Sequence, residues 1–140
     1  MATLDEQLLL HEGLHLKPYV DTVGKLTVGV GRNLSDVGLS LLEAGTLLQD
    51  DIERATALVA RFPWFFDLDP VRTKVLIDMA FNLGSKLLSF KLFLAAMARL
   101  DYNVAANEML ASIWAKQLPQ RANRLATMMR TGHDYDEVVP

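Results

Sequence analysis

Residues 11–34 read HEGLHLKPYVDTVGKLTVGVGRNL, and the hydrophobic period changes inside this stretch. Up to Gly13 the chain has helical spacing. Leu4, Leu8 and Glu12 fall on one four-residue row, behind a Thr3–Glu6 pair with capping-box spacing. Past Pro18 the period drops to two. Leu26, Val28 and Val30 alternate with Thr27, Gly29 and Gly31, a strand signature, and Val23-Gly24 supplies the turn before it. The switch predicts a helix over 3–12 that ends at Gly13, followed by a hairpin. It also sets out three polar groups in one short unit. Glu12 lies on the apolar row at the helix end, Asp21 lies where the chain enters the hairpin, and Thr27 lies on the strand face turned from the apolar side. Glycines near Thr27 would let a ligand come close to the backbone.

The rest of the chain reads as helices. Ser40-x-x-Glu43 starts one whose apolar positions Ala44, Leu47, Leu48, Ile52, Ala55 and Val59 keep a 3.6 period, and Phe62-Pro63 stops it. Asp69-Pro70 is an N-cap and first-turn pair for a third helix running to about Asn82, with Gly84 beyond it. That helix is apolar on most sides and is expected at the centre of a core. Helical patterns follow over about 90–100 and 101–111, and a last one from Pro119 to Gly132. The tail HDYDEVVP reads as loosely attached.

A chain of 140 residues, 51% of them hydrophobic, can form one domain with a core or two closely packed lobes. A net charge of -3 argues against a protein that holds nucleic acid by its phosphates. With no cysteine there is no disulfide or thiol chemistry, and His11, His15 and His133 lack metal-ligand spacing, so no metal or cofactor is expected. The opening MATLDEQLLLHEG has acids and one short leucine run, unlike a secretory signal, and no stretch approaches the roughly 20 apolar residues of a membrane span. The expectation is a protein made in the cytoplasm, without stable membrane insertion.

Each polar candidate has an ordinary reading beside the chemical one. Partial burial and the negative end of the helix dipole would disfavour the charged form of Glu12, as a proton donor requires. A helix-terminal Glu paired with Arg121 or Arg32 is the ordinary alternative. Asp21 fits a turn stabilised by its own side chain, and Thr27 fits a plain strand residue. Together, however, the three are the set that glycosidic bond cleavage uses: a carboxyl that keeps its proton, one that loses it, and a hydrogen-bonder for water. The acid-free basic stretch Lys116, Arg121, Arg124 and Arg130 reads first as a solvated helix face. Trp64, Phe65 and Phe66 read as a core cluster before a sugar platform, and Met128 and Met129 as core.

The same residues carry a family resemblance. HEGLHLKPYVDTVGKLTVGVGRNL is similar to the active-site segment of the phage-type lysozymes, or endolysins, of glycoside hydrolase family 24. Their pattern has Glu before Gly, then Asp or Cys, then Thr, at the spacing of Glu12, Asp21 and Thr27. DMAFNLG (78–84) resembles the end of the family's central helix, and SIWAKQLPQRANRLATMMRTG (112–132) its C-terminal Trp, Gln and Arg block.

The resemblance implies an α+β, mainly α, lysozyme-like fold in a single domain over 1–140. Its parts would be an N-terminal β-hairpin lobe over about 13–40, a connecting helix over about 41–60, and a C-terminal helical lobe over about 63–132 together with the 3–12 helix. It implies that Glu12 is the general acid, that Asp21 and Thr27 act on the transition state or the attacking water, and that the enzyme is inverting. It further implies that Phe81 and Asn82 bind sugar in a cleft between the lobes, with Arg121 holding Glu12 and Gln117 in support.

The implied activity is a muramidase that hydrolyses the β-1,4 bond between N-acetylmuramic acid and N-acetylglucosamine in peptidoglycan, for host lysis. Its partners would be glycan strands and not nucleic acid, the protein would be a monomer, and it would leave the host cytoplasm through a permeabilised membrane or by export. The competing readings are a lytic transglycosylase, a non-catalytic glycan-binding phage component, and a helical nucleic-acid binder. Two departures stand out: Arg32 takes the place of a family histidine, and the segment between Leu34 and Ser40 is short, which predicts a small sheet.

Overall fold

The computed structural model describes residues 1–137. Helix α1 spans Leu4–Glu12 with the expected capping box. Thr3 Oγ1 accepts from the Glu6 amide at 3.1 Å, and Glu6 Oε2 accepts from the Thr3 amide at 3.1 Å. Gly13 ends it at φ +76°, where only glycine avoids the left-handed penalty, and its N–H bonds to Leu9 O. The strands β1 (His15–Val20), β2 (Leu26–Gly29) and β3 (Arg32–Asn33) form an antiparallel sheet in the order β1-β2-β3. The two-residue β3 adds a third strand to the expected hairpin. Tyr19, Thr27 and Asn33 lie directly across from one another in the ladder.

Helix α2 (Leu41–Val59) starts on the Ser40–Glu43 box, and Pro63 opens a 3₁₀ turn (Pro63–Asp67) after it. Next come α3 (Pro70–Leu83), a 3₁₀ segment (Gly84–Ser89), α4 (Lys91–Ala98), α5 (Tyr102–Leu110), the short α6 (Ile113–Gln117) and α7 (Pro119–Thr131). The chain is therefore α+β and mainly helical, as expected. It divides into two compact units, Met1–Leu47 and a second from Leu48 onward, with the division inside α2 and with α1 in the first unit.

The second unit holds the core. Val75, Leu76 and Met79 of α3 are fully buried among Val59, Leu87, Phe93, Met97, Met109 and Met129. Each such side chain removed from water contributes about 1.5–3 kcal/mol. Met128 and Met129 are core residues, as read. Phe65 is buried as well, Trp64 is half-buried and stacks on Phe62 at 4.9 Å, and Phe66 is exposed. Arg72 locks the unit. Its Nε donates to Met129 O at 2.7 Å and its Nη2 to Arg130 O at 3.2 Å, which satisfies carbonyls at the end of α7, and its guanidinium lies 3.7 Å above the Tyr102 ring.

Three expectations need correction. No residue of α1 is buried, Glu12 included. At roughly 100° per residue, Leu4, Leu8, Leu9 and Leu10 point around much of the helix, so one four-residue row does not mark an inner face. The β2 faces are also reversed. Thr27 is 4% exposed, and the apolar neighbours Leu26 and Val30 are each 43% exposed. The period of two separates the faces without saying which is inside. Finally, the tail is tied at Asp134, which accepts a hydrogen bond from Lys74 Nζ. Its residues 138–140 lie outside the described ones.

Candidate active site

Asp21 closes the β1–β2 turn. Its Oδ1 accepts from the Val23 amide at 3.0 Å and the Lys25 amide at 2.8 Å. Its own N–H donates to Lys25 O at 2.9 Å, and its carbonyl accepts from the Gly24 amide at 3.1 Å. This is the side-chain-stabilised turn of the ordinary reading. Only Oδ1 takes part in it, and no described residue donates to Oδ2.

Thr27 sits two residues further along β2. Its hydroxyl donates to Lys25 O at 3.0 Å. With its hydrogen committed there, Oγ1 offers lone pairs, so towards a third group it acts as an acceptor. The sheet places Tyr19 opposite, and the ring of His15 packs on Tyr19 with centroids 4.3 Å apart.

Glu12 ends α1 with an exposed side chain whose carboxyl lies against Gly31. A Cβ built on that glycine would stand 2.7 Å from Glu12 Oε2 and 3.0 Å from its Cδ. The partial burial anticipated for this acid is absent. Arg32 is not its partner either. The guanidinium of Arg32 grips Glu43, with Nη1 to Oε1 and Nη2 to Oε2 each at 2.7 Å, and Nη1 also donates to Gly38 O at 3.2 Å. The Arg32 bonds, and after them the Ser40 amide, hold Glu43 well below the usual carboxylate range, down to about 2. The charge that departs from the family's histidine thus joins β3 to the start of α2.

The second unit carries the remaining candidates. Phe81 and Asn82 are exposed near the end of α3. Asn82 Oδ1 accepts from Trp114 Nε1 at 2.7 Å, which fixes the side-chain amide. Trp114, itself buried, and Gln117 line an open groove of about 560 Å³ with Phe90, Ser89 and Ile113. Trp114 escaped the residue-by-residue reading because a buried aromatic reads as core; its N–H needing a partner was the available signal. Arg121 is held by Asp78, whose Oδ1 accepts from Nε at 2.8 Å and from Nη2 at 2.6 Å. The sequence reading did not anticipate this partner.

Among the described residues no three His, Asp or Glu side chains converge as metal ligands, and no helix is long and apolar enough to cross a membrane. Chemically, the first unit offers two carboxyls and an acceptor hydroxyl, and the second an oriented amide beside an exposed aromatic ring.

Known proteins are similar in sequence to this chain along nearly all of its length. A family model described as phage lysozyme matches residues 10–130. A curated relative, "Probable T4-type lysozyme 1" of Dictyostelium discoideum, is 27% identical over 94% of this chain and 96% of its own length. "Probable T4-type lysozyme 2" of the same organism is 26% identical with the same coverage.

Proposed function

Because this chain belongs to the phage lysozyme family, and is thus a peptidoglycan-degrading glycoside hydrolase, we propose that it cleaves the β-1,4 bond between N-acetylmuramic acid and N-acetylglucosamine by an inverting mechanism. Glu12 is assigned as the general acid that protonates the leaving sugar oxygen. Asp21 is assigned as the base, and Thr27 as the residue that orients the attacking water.

The observation that carries this reading is how Asp21 and Thr27 are committed. Asp21 holds its turn through Oδ1, which leaves Oδ2 to take a proton, and Thr27 has given its hydrogen to Lys25 O. A water that donates one hydrogen to Asp21 Oδ2 and the other to Thr27 Oγ1 turns its lone pair outward. That is the orientation needed for attack on the anomeric carbon, opposite the leaving group. Inversion requires room for such a water between the two carboxyls, about 6.5–9.5 Å.

Phe81 and Asn82 are assigned to glycan contact. With Oδ1 bonded to Trp114, the Asn82 NH₂ is the end left to donate to a sugar hydroxyl or acetamide oxygen. Gln117 and Arg121 support the site. In biological terms the reading is that of a monomeric endolysin that frees phage progeny from the host cytoplasm once the membrane is opened or export is provided.

The test is digestion of purified peptidoglycan with analysis of the new ends. A reducing end formed by water, first in the α-anomer by NMR, supports inverting hydrolysis. An anhydro end would instead mean transglycosylation, and full activity of Glu12→Gln would remove the catalytic reading altogether.

A further inference from the structure

Several glycines of the first unit adopt positive φ, and one differs from the others in what lies over it. A Cβ added at Gly24 or Gly29 meets nothing within 4 Å, and at Gly38 only Leu34 O at 4.0 Å. At Gly31, φ +74°, the added atom meets Glu12 Oε2 at 2.7 Å, Cδ at 3.0 Å and Cγ at 3.2 Å. Favourable contact between carbon atoms begins at about 3.5 Å. The space a side chain would occupy at position 31 is already filled by the end of Glu12. No described residue donates a hydrogen bond to that carboxyl, so polar partners do not set its position.

We propose that Gly31 is a positioning residue whose bare backbone is the seat that fixes where Glu12 presents its carboxyl. The inference rests on Glu12 being the general acid, as proposed above. Two features make the role functional instead of structural. The obstructed group is the free end of a flexible chain, so a methyl at position 31 is accommodated by swinging the carboxyl aside and not by rebuilding the sheet. A displacement near 1 Å, small for packing, is large for proton delivery, and misplacement of that size costs a reaction about a hundredfold.

The experiment compares Gly31→Ala, Gly38→Ala and Glu12→Gln on purified peptidoglycan. Gly38 has φ +67° with an unobstructed Cβ direction, so its alanine variant carries the same backbone strain without the contact. Both alanine variants are expected to lose similar thermal stability. Only Gly31→Ala should lose about a hundredfold in kcat with KM nearly unchanged. The Glu12 carboxyl ¹³C resonance should move in that variant alone.

If Gly31→Ala loses no more kcat than Gly38→Ala and leaves the resonance in place, the inference is overturned. The assignment of the acid survives that result provided Glu12→Gln is inactive, whereas an active Glu12→Gln removes the assignment itself. Should Gly31→Ala fail to fold, Gly31→Asn carries the same Cβ on a residue that tolerates positive φ, and Gly38→Asn becomes its control.

Discussion

Asp21 and Thr27 are bonded to the two sides of one residue: the Lys25 N–H donates to Asp21 Oδ1 at 2.8 Å, and the Lys25 carbonyl accepts from Thr27 Oγ1 at 3.0 Å. The turn that joins the strands therefore also fixes the spacing of the acid and the hydroxyl, so rearranging it moves both at once.

Asp21→Asn and Asp21→Ala should consequently separate. Asparagine keeps an oxygen for the Val23 and Lys25 amides and should unfold in urea within about 0.5 kcal/mol of wild type. Alanine leaves those amides to water and loosens the turn, at a cost of about 1–2 kcal/mol. Both should lose wall-clearing activity, since neither offers a base. An active Asp21→Asn would confine Asp21 to its turn.

Thr27→Val, nearly isosteric in a buried position, removes the hydroxyl's bond to the Lys25 carbonyl, which keeps the Asp21 N–H as its donor, and should cost no more than about 1 kcal/mol. It also removes the acceptor proposed for water, so kcat should fall well beyond what that loss of stability explains. Thr27→Ser, which restores the hydroxyl, should recover most of kcat. Equal rates for the valine and serine variants would exclude a role for the hydroxyl.

Glu12→Gln should reduce turbidity clearance by about 10²–10⁴-fold, the usual contribution of a positioned proton donor. Because Glu12 is exposed at the end of α1, the melting temperature should hardly change. A large loss of stability would mean the residue acts through the fold.

The Arg32–Glu43 pair predicts a pH effect on stability that is separate from catalysis. Glu43 titrates at about 2 in the folded chain, against 4.5 ordinarily, because the Arg32 bonds and then the Ser40 amide favour its charged form. The folded pKa is depressed, so the unfolded chain takes up the proton first as pH falls. The stabilisation is complete above about pH 4.5 and is lost on descending to about 2. Urea midpoints of Glu43→Gln should vary less across that window than those of wild type. Parallel curves would show that the pair contributes nothing.

Arg72→Ala should destabilise the second unit by about 2–3 kcal/mol, because the C-terminal carbonyls of α7 lose a charged donor. Arg72→Lys should recover only part, since one ammonium cannot reproduce the planar fork that spans Met129 O and Arg130 O while lying on Tyr102. Thermal unfolding of both variants checks this, and full recovery by lysine would refute it.

Local chemistry was legible in the sequence wherever it is local. The Thr3–Glu6 and Ser40–Glu43 boxes, the Gly24 turn and the Asp69-Pro70 start of α3 involve neighbours within four residues, and all are present. Facing and pairing were not legible. Alternation along β2 separates Thr27 from Leu26 and Val28 but cannot say which face is covered. Arg32 could be seen as a charge near the site, but its partner Glu43 lies eleven residues on, across a loop. The five residues of α6 are too few to show a period. Of the candidate site, the residue types and their spacing were readable, and the contact of Glu12 with Gly31 was not, because a glycine carries no mark of what occupies the space above it.

The division of labour within Asp21 also bears on how this position can evolve. The family pattern admits cysteine there, but a thiol is a weak acceptor and cannot replace the carboxylate oxygen that gathers the Val23 and Lys25 amides. In this chain the exchange is not a neutral single step. A lineage drifting from aspartate to cysteine would give up both bonds and carry that loss of stability, unless its turn had come to satisfy the amides without residue 21.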